Sequence, residues 1–442
     1  MASNYTATHP EYDAQIAIWQ KCRDAFEGEE VIKSKGTKYL PKLKGQVNED
    51  YRAYVDRALF YSITSKSISA LTGMATSKPV DIKCSESMQQ YLDDTSRMQF
   101  SEIFALTLTE ILLQGRDGTL IDFPKTGGDP YIVKYNAESI INWRYDVNNQ
   151  LALVVLKEQY THYIDDYESE LRYRYRELRL EYGEYSQIIH YEDDENLTEY
   201  ITPRVKGKSL DYIPFFVTHP LGMGLKMAKP PVLDIVNINL SHYRSSADLE
   251  HGRHFTGLPT PVIIGGNAGD DLYIGSSKFI IIPDKGGDAK YLEYTGLGLQ
   301  SLEKALVEKQ GQLASLSARF LDNSTRGSEA ADTVKLRYMS ETASLTNVIL
   351  AVNIMLQTVY NKIAEFRGET EPITIKIDTN FLETALSAAD MTALFKGYFD
   401  GVISKETLVY NLRRGQRLDP NRSDEDEINS INKQQSGDLS GT

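Results

Sequence analysis

Between Pro230 and Arg367 the chain reads as a helix, a glycine-punctuated run of short β segments, a second helix, a polar break and a very long third helix. Pro230 and Pro231 are placed to open the first helix, and Asp234 falls in its first turn, where a negative charge suits the helix dipole. Val232, Ile235, Val236, Leu240 and Tyr243 form one apolar stripe, and Asp234, Asn237, Ser241, Ser245 and Asp248 form a polar one. Leu258-Pro259-Thr260-Pro261 forbids continuation, so the helix should end near Gly257 after about 25 residues, or roughly 37 Å. Short strands are expected at 261–264, 272–274, 279–282 and 291–294, joined by glycine turns. Helix resumes at Ser301 with Leu302, Leu306, Leu313, Leu316 and Phe320 on one side. After the polar stretch 322–329 comes a helix over 332–367, whose stripe of Leu345, Val348, Ile349, Val352, Met355, Leu356, Val359, Tyr360 and Ile363 is apolar enough for a buried axis. Two helices that leave and re-enter a body around a compact β tip make a stalk. Alone in water such a stalk exposes too much apolar surface. A closed ring of identical subunits would give each stalk the same neighbour on both sides.

The rest of the chain fits an α+β body. At 442 residues the length suggests about three domains or one elaborated one. Amphipathic helices are expected over 11–27, 48–73 and 87–113, with a strand at 119–123. A strand meander should follow at 151–160, 170–182, 186–191 and 199–205. Tyrosine, with 28 residues against 14 Phe and 2 Trp, suits a sheet with one packed and one wet face there. Leu171-Arg172-Tyr173-Arg174-Tyr175-Arg176 alternates aromatic with basic, a pattern shared by nucleic-acid platforms and by cross-strand pairing; Glu168, Glu170, Glu177, Glu181 and Glu184 nearby favour pairing. A strand at 372–377 and helices at 379–400 and 404–414 follow, and the acidic, polar segment 423–442 is expected to be disordered.

Composition excludes several classes. Forty-eight basic against 62 acidic side chains give a net charge of −14, which argues against a protein whose main act is gripping phosphates. Cys22 and Cys84 are too few for a disulfide framework or an all-cysteine zinc site. No signal-peptide pattern opens the sequence, and the apolar run 347–360 is interrupted by Asn353 and Gln357, so no membrane passage is expected. GxxxxGK[ST], GxGxxG opening a helix, GxSxG and HExxH are all missing, and no cofactor is implied. His251 and His254, three apart with Asp248 nearby, have a geometry that metals can use, although such a pair without a third strong ligand is a common outcome of a polar helix face. Gly265-Gly266-Asn267-Ala268-Gly269-Asp270-Asp271 has neither calcium-loop nor phosphate-loop spacing and reads as a hairpin tip.

These residues carry a resemblance. His9-Pro10-Glu11-Tyr12, Trp19-Gln20-Lys21-Cys22-Arg23-Asp24, Glu27-Gly28-Glu29, Tyr39-Leu40-Pro41, Tyr51-Arg52-Ala53-Tyr54 and Arg57-Ala58-Leu59-Phe60-Tyr61 resemble the N-terminal signature of portal (head-to-tail connector) proteins of tailed double-stranded DNA bacteriophages. The similarity continues through His242-Tyr243-Arg244, Leu249-Glu250-His251 and 254–261, weakens across the meander and is absent from the tail. The resemblance implies a dodecameric ring at one capsid vertex, assembled in the host cytoplasm. It divides the chain into a wing (1–229), stem helices (230–257 and 300–321), a clip (258–299), a channel loop (322–331), a long wing helix with its strand (332–378), a short crown (379–420) and the tail (421–442). It places Asn323, Ser324, Thr325, Arg326 and Gly327 in the channel, with Arg326 able to touch the DNA backbone or to pair with Glu329 instead. It makes Asp234, Asn237, Ser241, Ser245 and Asp248 candidates for the channel lining. Asn267, Asp270, Asp271, Lys285 and Asp288 become candidates for docking partners at the clip.

Twelve helices at ~10 Å spacing enclose a bore of ~28 Å, wide enough for a duplex on the order of 20 Å across. An acidic sleeve would not hold sliding phosphates tightly. The implied partners are the major capsid protein, the terminase large subunit transiently, head–tail adaptor or tail proteins, and non-specifically bound double-stranded DNA. The implied role is a non-enzymatic channel for packaging and ejection, the motor being another protein. Two other readings stay open: a metal-dependent enzyme using Asp248, His251 and His254, and a scaffold or minor capsid protein without a channel.

Overall fold

The computed structural model describes residues 4–125, 127–192, 194–257, 260–264, 280–282, 288–292, 297–321, 331–379, 388–414, 417–418 and 422–438. Two compact units emerge, Met1–Ile377 and Asp378–Thr442.

In the first unit, α1 (Pro10–Glu27) starts on His9, whose ring Nδ1 accepts from the Glu11 amide at 3.2 Å, and ends at Gly28. After α2 (Glu29–Ser34), the single helix expected over 48–73 is two, α3 (Asn48–Arg57) and α4 (Ile63–Thr76). The break has a cause outside the segment. Ala58 turns extended, and the freed amides of Leu59 and Phe60 donate to Ser246 Oγ at 3.4 Å and Glu29 Oε1 at 3.3 Å, while buried Ala58 and Phe60 join the core. Beyond β1 (Asp81–Lys83), the helix expected over 87–113 is likewise divided into α5 (Glu86–Asp93) and α6 (Phe100–Gln114). Here the Asp94 carboxylate accepts from the Ser96 amide and hydroxyl and from Arg97 Nε, an Asx turn that competes with helix.

Gly115 closes α6 in the left-handed region (φ 73°), and a Cβ there would sit 3.0 Å from the Ala228 carbonyl oxygen, so both conformation and space require glycine. Strands β2 (Asp117–Asp122), β3 (Tyr131–Asn136), β4 (Ile140–Tyr145), β5 (Leu151–Tyr163), β6 (Ser169–Glu181), β7 (Glu184–Tyr191) and β8 (Asp194–Ile201) follow, with the small hairpin β9 (Arg204–Val205) and β10 (Lys208–Ser209) and then β11 (Phe215–His219) and β12 (Gly222–Met223). They form an antiparallel sheet β12-β11-β2-β3 and an antiparallel meander β4-β5-β6-β7-β8. The β5–β6 ladder outruns its neighbours. Ile140–Leu156 is the last rung with β4 and Arg174–Tyr191 the last with β7, after which the Glu192 amide still donates to the Tyr173 carbonyl at 3.2 Å, leaving four rungs from Tyr160–Arg172 to Tyr163–Ser169 as a two-stranded ribbon.

Buried charge joins the two sheets. Arg176 on β6 gives Nε to Glu158 at 2.6 Å and Nη1 to Asp122 at 2.9 Å and Gln187 at 2.8 Å. Burial works against ionised Glu158, but Arg176, the Tyr135 hydroxyl and Arg174 together hold its carboxyl below the usual range. On the other side of β2, Lys134 reaches Asp117, Thr107 and Thr119. Arg116 is different: 1% exposed, it lies over the Trp143 ring at 4.2 Å and meets Met227 Sδ at 3.7 Å, yet its Nε and Nη2 find no acceptor among the described residues.

The helical core gathers Cys22, Ile32, Leu40, Tyr54, Phe60 and Ile68 around α7 (Leu233–Gly257). Next come β13 (Thr260–Ile264), β14 (Ile280–Ile282) and β15 (Asp288–Leu292), a three-stranded sheet in which β13 is central, parallel to β14 and antiparallel to β15. The strand expected at 272–274 lies outside the described residues. Helix α8 (Leu297–Leu321) and the 37-residue α9 (Ala331–Arg367) complete the helices of this unit. All nine positions of the expected α9 stripe, from Leu345 to Ile363, are buried. Strand β16 (Thr374–Lys376) pairs antiparallel with β1.

The second unit contains α10 (Ala388–Phe399), α11 (Lys405–Arg414) and α12 (Asp424–Asp438). The last corrects the expectation of a disordered tail. Ser423 Oγ accepts from the Asp426 amide at 3.0 Å, four acidic residues fill the first turn, and Arg413 pairs with Asp424.

Candidate channel-forming helices

The α7 sequence divides its faces as the pattern demands: Val232, Ile235, Val236, Leu240 and Tyr243 are all buried. The polar stripe does not stay together. Asp234 is exposed and pairs with Lys229 at 2.8 Å, and exposed Asn237 accepts from Lys21 Nζ at 2.8 Å. Ser241 and Ser245 are half-buried because Lys309 of α8 donates to the Ser241 carbonyl at 3.1 Å and to Ser245 Oγ at 2.5 Å. Asp248 accepts the Tyr54 hydroxyl at 2.5 Å.

A second polar line runs inside the apolar face and was missed by the amphipathic reading. Asn239, His242 and Ser246 are buried at spacings of three and four, a helical interval that the sequence already held. Asn239 Nδ2 donates to Thr64 Oγ1 at 3.3 Å, the Gln310 amide meets His242 Nε2 at 3.3 Å, and Ser246 receives the Leu59 amide. Burial, and then Lys309, push the His242 imidazole below its ordinary value.

Helix α8 runs antiparallel to α7, with Arg253–Glu303 (2.8 Å) near one end and His242–Gln310 further along. A Cβ on Gly252 would come within 2.4 Å of Leu299 Cδ2, so the pair crosses closely there. Leu306 and Leu313 are buried, but Val307 is 67% exposed and Glu303, Lys304, Glu308 and Gln312 face water. Near the end of α7, Phe255 is 52% exposed beside an open cleft of about 280 Å³ lined by Asp248, Gly252, Leu299 and Leu302. Among the described residues, the helix pair is covered along one side.

The metal arrangement finds other uses for its groups. Asp248 is taken by Tyr54, the His251 ring stands edge-on to Tyr54 and Phe255, and His254 Nε2 lies 3.2 Å from the Arg57 guanidinium. Burial and the Arg57 charge lower the His251 pKa. A permanent cation beside the pair opposes a metal ion. No group of three His, Cys, Asp or Glu able to hold a metal occurs among the described residues.

The arginines of β6 are likewise engaged by carboxylates. Arg172 pairs with Glu170, Arg174 and Arg176 with Glu158, and Arg179 with Glu177 and Glu181. Carboxylate pairing, across strands for Arg174 and Arg176 and along β6 itself for Arg172 and Arg179, rather than a nucleic-acid platform, accounts for the alternation. The sequence had pointed to Glu170, Glu177 and Glu181; Glu158 and Asp122, on other strands, were missed. Asn323, Ser324, Thr325, Arg326 and Gly327, and Asn267, Asp270, Asp271 and Lys285, lie outside the described residues. Asp288 begins β15, opposite Ile264.

Residues 231–367 match a family described as a domain of unknown function (DUF4055), a match that spans α7 to α9. No curated protein matches the chain. Among solved structures, a chain from the virion of a native gene transfer agent (GTA) particle superposes with a TM-score of 0.40 at 10% identity, covering 86% of this chain and 98% of that one. A chain from the neck of an empty GTA particle computed with C6 symmetry gives 0.41 at 13% identity, covering 87% and 98%. One from the neck of a native GTA particle computed with C12 symmetry gives 0.40 at 10%, covering 79% and 89%. The chain is similar to virion and neck chains of gene transfer agent particles. No described helix is long and apolar enough to cross a membrane.

Proposed function

We propose that this chain is a portal protein, which closes into a ring at one capsid vertex of a phage-like particle and lets double-stranded DNA pass in and out. The observation that carries this reading is the antiparallel α7–α8 pair, covered along one side and open along the side that bears Val307. Val307 on that side and Phe255 near its end are exposed apolar groups that a neighbour can cover, and a copy of the chain related by rotation covers them on every subunit. The signature residues from His9 to Tyr61 and from His242 to Pro261 support the same reading.

In this proposal α7 and α8 form the stem, the β13–β15 sheet belongs to the clip that docks the packaging motor and later the tail adaptor, and residues 322–331 reach the channel. The net charge of −14 opposes tight binding of phosphates to the chain as a whole. The ring has no catalytic work; the motor ATPase, the major capsid protein and the adaptor are separate partners. Twelve subunits are the number that the resemblance implies, and a bore of ~28 Å follows from it.

End-on electron microscopy of the purified chain, alone and with shell or scaffold partners, tests the proposal. Rotationally averaged particles should show a ring with a central hole. Particles without a hole, or a chain that stays monomeric in every condition, would overturn it. Deleting residues 323–327 should lower DNA packaging or retention while leaving rings intact.

A further inference from the structure

Beyond the contact of Tyr160 with Tyr191, no third strand flanks the ribbon at the end of β5 and β6 among the described residues. Four rungs reach ~14 Å past the last backbone bond from either neighbour, and an isolated two-stranded hairpin is marginally stable in water. Its tip carries Tyr163 (74% exposed), Ile164, Tyr167 (96%) and Leu171. Among these apolar groups stand Asp165, Asp166, Glu168 and Glu170, with no lysine or arginine from residue 162 to 171. The tip is therefore both sticky and strongly negative.

Elsewhere on the same unit lies a surface of the opposite kind. A groove of about 660 Å³ between the end of β8 and the turn after β2 is lined by Phe123, Pro124, Tyr200, Ile201 and Pro203, with Lys125 and Arg204 on its walls. The adjoining hairpin β9–β10 adds Lys206 and Lys208, so that Arg204, Lys206 and Lys208 expose three positive charges in five residues. One carboxylate, Glu199, sits in the groove and is paired with Lys125 at 2.5 Å. The volume lies within the range of about 300–1,000 Å³ typical of clefts that accept large apolar groups.

The two surfaces cannot meet within one chain. Strand β8 ends at Ile201, opposite Gln187, and Gln187 is level with Leu178 of β6. That puts the groove several rungs along the sheet from the tip, on the far side from the turn, and the ladder between them is continuous.

We propose that the ribbon tip of one subunit docks into the groove of the neighbouring copy, with Tyr163 and Tyr167 against Phe123, Pro124 and Pro203 and the tip carboxylates facing Arg204 and Lys208. Tip and groove are different patches, so the contact is head-to-tail and propagates around a ring. The inference rests on the ring reading and names the surfaces that close the wing of that ring. Opposite charge gives the contact its register, and like charges placed there oppose it.

The test uses the full chain. Tyr167→Cys is made in one preparation and Thr202→Cys in another, and the two are mixed under oxidising conditions. A disulfide-linked heterodimer should form, far above the level seen when Tyr167→Cys is mixed with Val147→Cys, an equally exposed site elsewhere. Asp166→Lys with Glu168→Lys should raise the concentration for half-assembly by roughly tenfold or more, as should Arg204→Glu with Lys208→Glu, and mixing the two charge-reversed chains should restore assembly. Both reversals avoid Asp165, whose carboxylate caps the turn through the Tyr167 and Glu168 amides. Wild-type rings that form normally while the cysteine pair stays unlinked, or while both reversals assemble unchanged, overturn this contact and leave the ring standing. A wild-type chain that never assembles overturns both.

Discussion

Tyr54 on α3 donates its hydroxyl to Asp248 on α7 at 2.5 Å, so the carboxylate that sequence spacing offers to a metal serves to hold two helices together. Tyr54→Phe should therefore cost about 1 kcal/mol of stability, the worth of one hydrogen bond to a partly exposed charged acceptor. Dialysis against a chelator should leave the wild-type denaturation curve unmoved. Urea unfolding before and after dialysis, with metal analysis of the pure chain, checks both; a stoichiometric zinc or manganese would revive the enzyme reading.

Arg176 and Arg116 should respond in opposite directions. Arg176→Ala strands Glu158 and Asp122 without their shared cation and should cost ~3–5 kcal/mol. Arg116→Met removes two unsatisfied donors from a site where burial already pushes the guanidinium pKa down to about 10, and should be neutral or stabilising by ~1 kcal/mol. Paired denaturant titrations decide the sign of each.

Acid should weaken the fold through its histidines. His219, His242 and His251 are all lowered from their ordinary value, chiefly by burial. Below pH ~6.5 the unfolded chain takes up protons that these folded rings refuse, so their contribution is complete above that pH and is lost as pH falls through it. The urea midpoint should drop between pH 7.5 and pH 5.5, and His242→Gln should lose less over that interval than the wild type. An equal loss would remove His242 from the account.

Val307→Glu should leave the unfolding free energy of the isolated subunit within ~0.5 kcal/mol, because the side chain already faces water. The same change should abolish ring formation if α8 packs on a neighbour. Denaturation and particle imaging on one preparation separate the two effects.

How much of this was legible beforehand depends on where the cause of each feature lies. The stripes of α7 and α9 are local periodicities, and both appear as read, down to the nine buried residues from Leu345 to Ile363. The breaks between α3 and α4 and between α5 and α6 sit inside unbroken amphipathic patterns. The first depends on Glu29 and Ser246, which are distant in sequence, and so could not be seen; the second was written in Asp94-Thr95-Ser96 and was outvoted by periodicity. Helix α12 was misjudged because composition was weighed above the Ser423 cap. At the candidate site the polar stripe was correctly drawn on the helical wheel but not in space. Lys309, on the opposing helix, covers Ser241 and Ser245 and so separates exposed Asp234 and Asn237 from exposed Asp248.

The grip of Arg176 on Asp122 and Glu158 has a mechanical corollary. With β2 and β6 joined through one buried cation, bending between the two sheets would part Asp122 from Arg176 and Gln187 and leave a buried carboxylate without its partners. A pull or push arriving at one sheet is therefore shared with the other. Compliance is easier in the β5–β6 ribbon, whose outer rungs no third described strand flanks, and at the short joints at residues 58–62 and 94–99.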